Sequence, residues 1–155
     1  MRIPDFLAEQ QVDFESLLHP PAFTAQKRAK YLHVSGTRVA KSVLLEGPRG
    51  AFLAVLPATH RVDTEALARD LDGPVRLASA REVAEVFRDC EWGVVPPFGS
   101  LYGLPTLLDE ELNPGEWIVF EGHSHMHALR LLCRDFERLE RPRRLSFARR
   151  TSPPA

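Results

Sequence analysis

Val39-Ala40-Lys41-Ser42-Val43-Leu44-Leu45-Glu46, then Gly47-Pro48-Arg49-Gly50, then Ala51-Phe52-Leu53-Ala54-Val55-Leu56-Pro57 is the stretch that decides the fold. Two apolar runs flank a turn holding two glycines and a proline, which reads as a β-hairpin. Alternation along a strand places Lys41 on the face of Val39, Val43 and Leu45. Lysine occurs only at positions 27, 30 and 41, the remaining positive charge being arginine. Taking an ammonium out of water is costly unless an anion or a set of acceptors meets it. Two readings of Lys41 follow. It is an edge residue whose stem lines apolar surface with the charge outside, or it meets an anionic or carbonyl-bearing ligand.

Outward from the hairpin, helices and strands alternate irregularly. Ile3 to Gln11 reads as a short helix and Val12 to Leu18 as a first strand, stopped by His19-Pro20-Pro21. Thr24 caps a helix from Ala25 to Leu32, ending near Ser35-Gly36. Beyond the hairpin, Asp63 or Thr64 caps a helix to Leu71, closed by Gly73-Pro74. Val75 to Ala78 is a short strand, and Ser79-Ala80-Arg81-Glu82 has the form of a capping box. It opens a helix with Val83, Val86 and Phe87 on one stripe. Glu91 to Gly103 is a structured loop. Thr106–Leu108 and Trp117–Glu121 are strands either side of a turn at Asn113-Pro114-Gly115. The strand is expected to continue past Gly122 to about Leu132, with a last helix at Arg134–Glu140 ended by Pro142. Thr151 to Ala155 is expected to be disordered.

This order predicts a mixed α/β (α+β) fold, a mixed, barrel-like β-sheet surrounded by helices. The predicted organisation is an N-terminal helical extension over 1–11, one domain over 12–141, and an Arg-rich, partly disordered tail over 142–155. The 155 residues with 44% apolar content suit a single core. No G-x-G-x-x-G or G-x-x-x-x-G-K-[ST] is present, which disfavours a doubly wound nucleotide fold.

The formal net charge of −1 sets up no global field towards nucleic acid or membrane. Charge is uneven, however. Seven arginines between Arg134 and Arg150 face only Asp135, Glu137 and Glu140, a surplus of four. That segment is a solvated helix face with its tail, or a phosphate-backbone contact. Cys90 and Cys133 form no C-x-x-C motif, so neither a disulfide framework nor a zinc site is indicated, and a reducing, cytoplasmic setting is expected. No apolar run approaches a bilayer span of roughly 20 residues. Asp5 and Glu9 do not suit a signal peptide.

Two further segments carry chemistry. Gly93-Val94-Val95-Pro96-Pro97-Phe98-Gly99 is a rigid loop whose glycines allow close backbone approach, able to turn N–H groups towards a carbonyl or oxyanion. Glu121-Gly122-His123-Ser124-His125-Met126-His127, if extended, places its three histidines on one face. Such imidazoles are able to bind zinc, but no acidic partner stands at a recognisable spacing. The expectation is therefore no metal and no cofactor, with one histidine near a bound acyl group. No G-x-S-x-G elbow exists, and neither cysteine has a flanking base.

Together these segments resemble the YbaK/prolyl-tRNA editing domain family of aminoacyl-tRNA deacylases. The lysine-bearing strand Val39–Leu45, the loop from Gly93 to Gly99 and the strand end at Gly122-His123 match in order and spacing. His19-Pro20-Pro21-Ala22-Phe23-Thr24-Ala25 resembles the opening of the free-standing editing members, and the likeness runs from about Val12 to Leu139. The resemblance implies hydrolysis of the ester joining a wrong amino acid to tRNA, often tRNA for proline carrying alanine or cysteine. It implies aminoacyl-tRNA as partner through its 3′ end, an aminoacyl-tRNA synthetase as a further partner, and no membrane. By position, Lys41 would hold the terminal phosphate or the ester region, and Gly99 N–H would face the ester carbonyl. Gly122 and His123 would close the aminoacyl pocket. Thr24, Ser42, Pro97, Phe98 and His125 would make further substrate contacts. The histidine-rich stretch Ser124–His127 departs from the small and hydroxyl residues expected there. The same fold would also serve a non-catalytic binding or regulatory module.

Overall fold

The computed structural model describes residues 2–151. The chain opens with helix α1 (Ile3–Glu9), strand β1 (Phe14–Leu18) and helix α2 (Ala25–Leu32). The predicted hairpin follows as β2 (Ala40–Gly47) and β3 (Gly50–Pro57), then β4 (His60–Val62) and α3 (Thr64–Leu71). Next come β5 (Arg76–Leu77), α4 (Ala80–Val86), β6 (Thr106–Asp109), β7 (Trp117–Glu121) and β8 (His127–Leu132). Helix α5 (Cys133–Glu140) and strands β9 (Arg143–Leu145) and β10 (Ala148–Arg150) complete the order. The helix starts lie where capping chemistry puts them. Thr24 Oγ1 accepts from Lys27 N–H at 3.1 Å, Asp63 accepts from Ala66 N–H at 3.0 Å, and Ser79 with Glu82 forms the reciprocal box.

The strands form a mixed five-stranded sheet in the order β5-β2-β3-β6-β9, an antiparallel sheet β1-β8-β7, and the pair β10-β4. A single parallel bridge, Val39 with Val119, joins the first two. The expected mixed sheet with outer helices is present, while among the described residues no sheet closes on itself as a barrel. Among the described residues no helix is long and apolar enough to cross a membrane.

The β2–β3 ribbon separates two apolar clusters. Ala40 and Val55 belong to the one built from Phe98, Phe120, Phe136, Ile3 and Leu7. Leu45, Phe52, Ala54 and Leu56 belong to the one with Leu67 of α3 and Phe147. Ile3 and Leu7, one turn apart on α1, are fully buried, so this helix seals the main core.

Two stretches differ from the sequence expectation. Residues 122–126 are not strand: the chain reverses there, with Gly122 N–H donating to His127 O at 3.0 Å and Met126 N–H to Ser124 Oγ at 3.2 Å. Glycine and a hydroxyl that accepts from the backbone favour the turn. The segment read as a tail supplies β9 and β10, because Asp109 Oδ1 accepts from Phe147 N–H at 2.9 Å and Ala148 N–H at 2.8 Å. Short strands rich in arginine give no apolar alternation to detect. Thr151 is anchored to Thr59 O at 3.0 Å, and residues 152–155 of the expected disordered end lie outside the described residues.

A buried carboxylate that holds three amides, of Glu111, Phe147 and Ala148, makes Asp109→Ala destabilising by about 3 kcal/mol. Phe147→Ala should cost about 3–5 kcal/mol through the cavity it leaves. Urea unfolding midpoints measure both, and a midpoint unchanged in both variants would show that the C-terminal strands do not hold the core.

Candidate functional site

Register decides how β2 presents its backbone. Gly47 and Gly50 flank a two-residue turn, and Ala58 N–H donates to Val39 O at 2.8 Å, so odd-numbered residues of β2 exchange hydrogen bonds with β3. Even-numbered residues point their N–H and C=O the other way, as Leu44 O does in accepting from Ala78 N–H at 3.0 Å. On that side β2 meets β7 at the Val39 bridge and β5 at Leu45 and Glu46. The Ser42 backbone therefore faces an open stretch of strand edge.

The side chains alternate about the same stretch. Ala40 clusters with Phe98, and Leu44 with Val95 and Leu53. Ser42 lies between them with a buried hydroxyl that has no partner. Lys41 leaves on the opposite face, between Val39, which packs with α2, and Val43, which packs with the α3 cluster. Its ammonium makes no hydrogen bond or ion pair among the described residues, and burial holds its pKa below the usual lysine range. Gly99 packs on Leu53, so Gly99 shares a face with Ser42 and not with Lys41.

The other two segments are brought together. Glu91 N–H donates to His123 O at 2.9 Å, Trp92 O is bonded by His125 Nε2 at 2.7 Å, and the Val95 backbone amide is near enough to the Glu121 carboxylate to favour its charged form. Gly93 takes a φ of +85°, which favours glycine there. At Gly99 an added Cβ would lie 2.6 Å from both Leu104 O and Thr106 Oγ1. The Gly99 N–H, expected to face a carbonyl, donates instead to Pro97 O at 3.1 Å, since the two prolines fold the loop back on itself. Phe98 N–H has no partner among the described residues. The Phe98 ring is core, stacked edge-on against Phe136 at 5.6 Å.

The reversal at 122–126 removes the common histidine face. His127 Nε2 bonds Ser16 Oγ at 2.6 Å, His125 stacks on Phe23 at 4.6 Å, and His123 Nε2 sits 3.4 Å from Asp89 Oδ2. Thr24 uses its hydroxyl as a helix cap. Sequence reasoning missed the buried network behind the site. Arg28, 2% exposed, donates to Glu121 Oε1 at 3.3 Å and to His19 Nε2 at 3.3 Å, while His19 Nδ1 bonds Pro20 O at 2.8 Å. Burial pushes the Glu121 carboxyl up, and the Arg28 and His125 charges oppose that. An arginine in the middle of a helix gives no sign of being buried. Two cavities stand out elsewhere, of about 200 Å³ along α4 and residues 87–94 and about 330 Å³ beneath the β2–β3 turn. Neither is lined by Lys41, Gly99 or Gly122.

Comparison with known proteins gives one family match: the model of the aminoacyl-tRNA editing domain covers residues 19–139. No curated protein matches the chain. Among solved structures, that of a hypothetical protein superposes with a TM-score of 0.86 at 20% identity, covering 96% of this chain and 100% of that one. That of a proposed trans-editing enzyme for prolyl tRNA synthetase gives 0.78 at 25% identity, over 88% and 87% of the two chains. A proposed signal transduction protein from Marinobacter aquaeolei VT8 gives 0.73 at 21%, over 94% of this chain and 30% of that one.

The close packing at Gly99 makes Gly99→Ala destabilising by about 1–3 kcal/mol, because the obstructing atoms include a backbone carbonyl. Thermal unfolding that matches wild type would contradict that packing. Burial also holds the His19 and His127 imidazoles below their ordinary value of 6.5. The unfolded chain then takes up these protons first, so both favour folding above 6.5 and that contribution is lost as pH falls through it. The raised carboxyls of Glu121 and Glu140 act in the opposite sense, nearer their ordinary value of 4.5. Denaturant midpoints should therefore fall between about pH 7.5 and about pH 5.5; a rise over that interval would refute buried neutral imidazoles.

Proposed function

The chain belongs to the aminoacyl-tRNA editing domain family, and we propose that it is a trans-editing deacylase. It would hydrolyse the ester joining a wrong, small amino acid to a tRNA, with tRNA for proline as the foremost candidate. The observation that carries this reading is the open edge of β2 at Ser42, overlooked by the clamped loop and hairpin and adjoined by the unpartnered Lys41. A ligand lying along that edge meets the Ser42 N–H, C=O and hydroxyl, and Lys41 reaches it from the other side of the strand.

In this reading Lys41 holds the terminal phosphate or the ester region. The amides at Phe98 and Gly99 polarise the ester carbonyl, and Gly122 with His123 closes the aminoacyl pocket. Thr24, Pro97 and His125 frame the substrate. Water attacks the carbonyl carbon, the acyl–oxygen bond to the ribose breaks, and a proton passes to the leaving ribose oxygen. The vicinal 2′-hydroxyl of the terminal ribose is placed to share that proton. An aminoacyl ester is already activated, so positioning and electrostatics suffice without a covalent nucleophile. Phe23, Trp92 and Met126, exposed by 74%, 65% and 48%, offer apolar surface for unpaired bases of the 3′ end. Arg134, Arg141, Arg143 and Arg150 are exposed and suited to phosphates, and an aminoacyl-tRNA synthetase would be a further partner. The unit carrying the activity is assigned to residues 12–141, with 1–11 and 142–155 as its flanks.

One observation favours a second reading, a non-catalytic aminoacyl-tRNA-binding or regulatory module: the Gly99 amide is engaged by Pro97 O. A panel of mischarged tRNAs separates the two. The deacylase reading expects amino-acid release by wild type and a loss of about 10²-fold or more in Lys41→Ala. Retention of intact aminoacyl-tRNA without turnover would support the second reading, and normal cleavage by Lys41→Ala would overturn the role given to that lysine.

A further inference from the structure

Asp89, Cys90 and His123 meet beside the β7–β8 hairpin, and we propose that they form a divalent-metal site of the zinc class. A carboxylate oxygen of Asp89, the Cys90 sulfur and a His123 ring nitrogen all lie within 4.8 Å of one another. An ion bound at about 2.0–2.3 Å holds tetrahedral donors roughly 3.5 Å apart, so a small contraction closes the site. His123 Nε2 is buried, 3.4 Å from Asp89 Oδ2, and has no hydrogen-bond partner. Among the described residues that nitrogen is shut away from water beside Asp89 and Cys90, with the Arg2 charge also acting on the ring.

The support around the cluster also suits a metal. The Tyr102 hydroxyl donates to Asp89 Oδ1 at 2.8 Å, which orients the carboxylate and leaves Oδ2 towards the histidine. Outer hydrogen bonds of this kind commonly hold ligating carboxylates. The donor set is one thiol, one imidazole and one carboxylate. Thiolate and imidazole disfavour magnesium and calcium, whose ligands are oxygen, and suit zinc. Three protein donors leave a fourth position for water or another small ligand. His125 and His127 are not part of the cluster, since among the described residues only Asp89, Cys90 and His123 bring their donor atoms within 4.8 Å of one another. Spacing along the chain concealed the acidic partner, because Asp89 precedes His123 by a loop and two strands.

The ion would pin the turn after α4 to the hairpin, two parts already joined by Glu91 N–H and His123 O at 2.9 Å. Binding displaces the thiol proton of Cys90, which leaves to solvent as the sulfur–metal bond forms.

The test uses untagged full-length protein, stripped with a chelator and titrated separately with zinc and cobalt(II). One equivalent of zinc should bind with release of a proton, and the cobalt form should show thiolate-to-metal charge-transfer absorption in the near ultraviolet. Cys90→Ser should abolish that band, His123→Ala should weaken zinc binding at least about tenfold, and Tyr102→Phe about tenfold. His127→Ala should bind zinc as wild type does. If a variant misfolds, wild type still decides. Zinc should slow modification of Cys90 by a thiol reagent, with Cys133 fully buried and unreactive throughout. Substoichiometric zinc, no charge-transfer band, or an equal labelling rate with and without zinc would overturn the site. No arm reads deacylation, so failure here leaves the editing reading untouched, and the reverse also holds.

Discussion

The pairing of β2 with β3 is the constraint on which the rest depends, because an eight-residue ladder closed by a two-residue turn admits one register. A shift by one residue would carry Lys41 into the aromatic core and Ala40 out of it, exchanging every side chain between faces. With register held, odd positions bond β3 and even positions face outward. That single parity explains why Ser42 turns both backbone groups to the strand edge while its buried hydroxyl lies on the face of Ala40 and Leu44. It also explains why Lys41 stands alone on the other face, in the gap between the residues covered by α2 and those covered by α3.

A second constraint is electrostatic. Arg28 and Glu121 are both largely out of water, at 2% and 14% side-chain exposure, and removing either partner alone would strand the other charge. The pair fastens α2 to β7, and the Val95 amide near Glu121 favours its charged form, so the loop lies against a charge at its back. His19 completes the network as a neutral acceptor from Arg28, with its other nitrogen on Pro20 O. Its burial and the neighbouring arginine both disfavour protonation. The loop and the hairpin are thus parts of one rigid wall and not two independent flaps.

Much of the fold was legible because its signals were local. The Thr24 and Asp63 caps, the Ser79 box and the glycine turn at 47–50 each act within four residues, and each element begins where such chemistry dictates. What could not be read depended on distant partners. Strands β4, β9 and β10 have three residues each, and Asp109, far away in sequence, supplies the bonds that order the last two. The candidate site divided in the same way. Lys41 stood out because charge inside an apolar run is locally anomalous, and Gly93 and Gly99 are glycines for reasons of backbone and space. Arg28, Glu121 and Asp89 resemble any surface charge in sequence, and only tertiary packing gives them roles. The histidines misled because alternation was assumed through a segment that turns.

The proposed deacylation would place a further demand on this arrangement. The stabilising donors must be free at the moment the carbonyl becomes tetrahedral, yet one of the two amides in the loop is engaged by Pro97 O. The Gly99–Pro97 bond lies within the loop, whereas the bonds to His123 O and from His125 tie the loop to the hairpin. A bound ester oxygen would compete with Pro97 O for the same N–H, while the Phe98 amide beside it has no partner among the described residues. In the proposed deacylase, catalytic competence would turn on the Gly99 peptide releasing Pro97 O, in a loop tied to the hairpin through His123 and His125. This also accounts for the tight fit at Gly99, where any side chain would block the turn that returns the backbone towards β6.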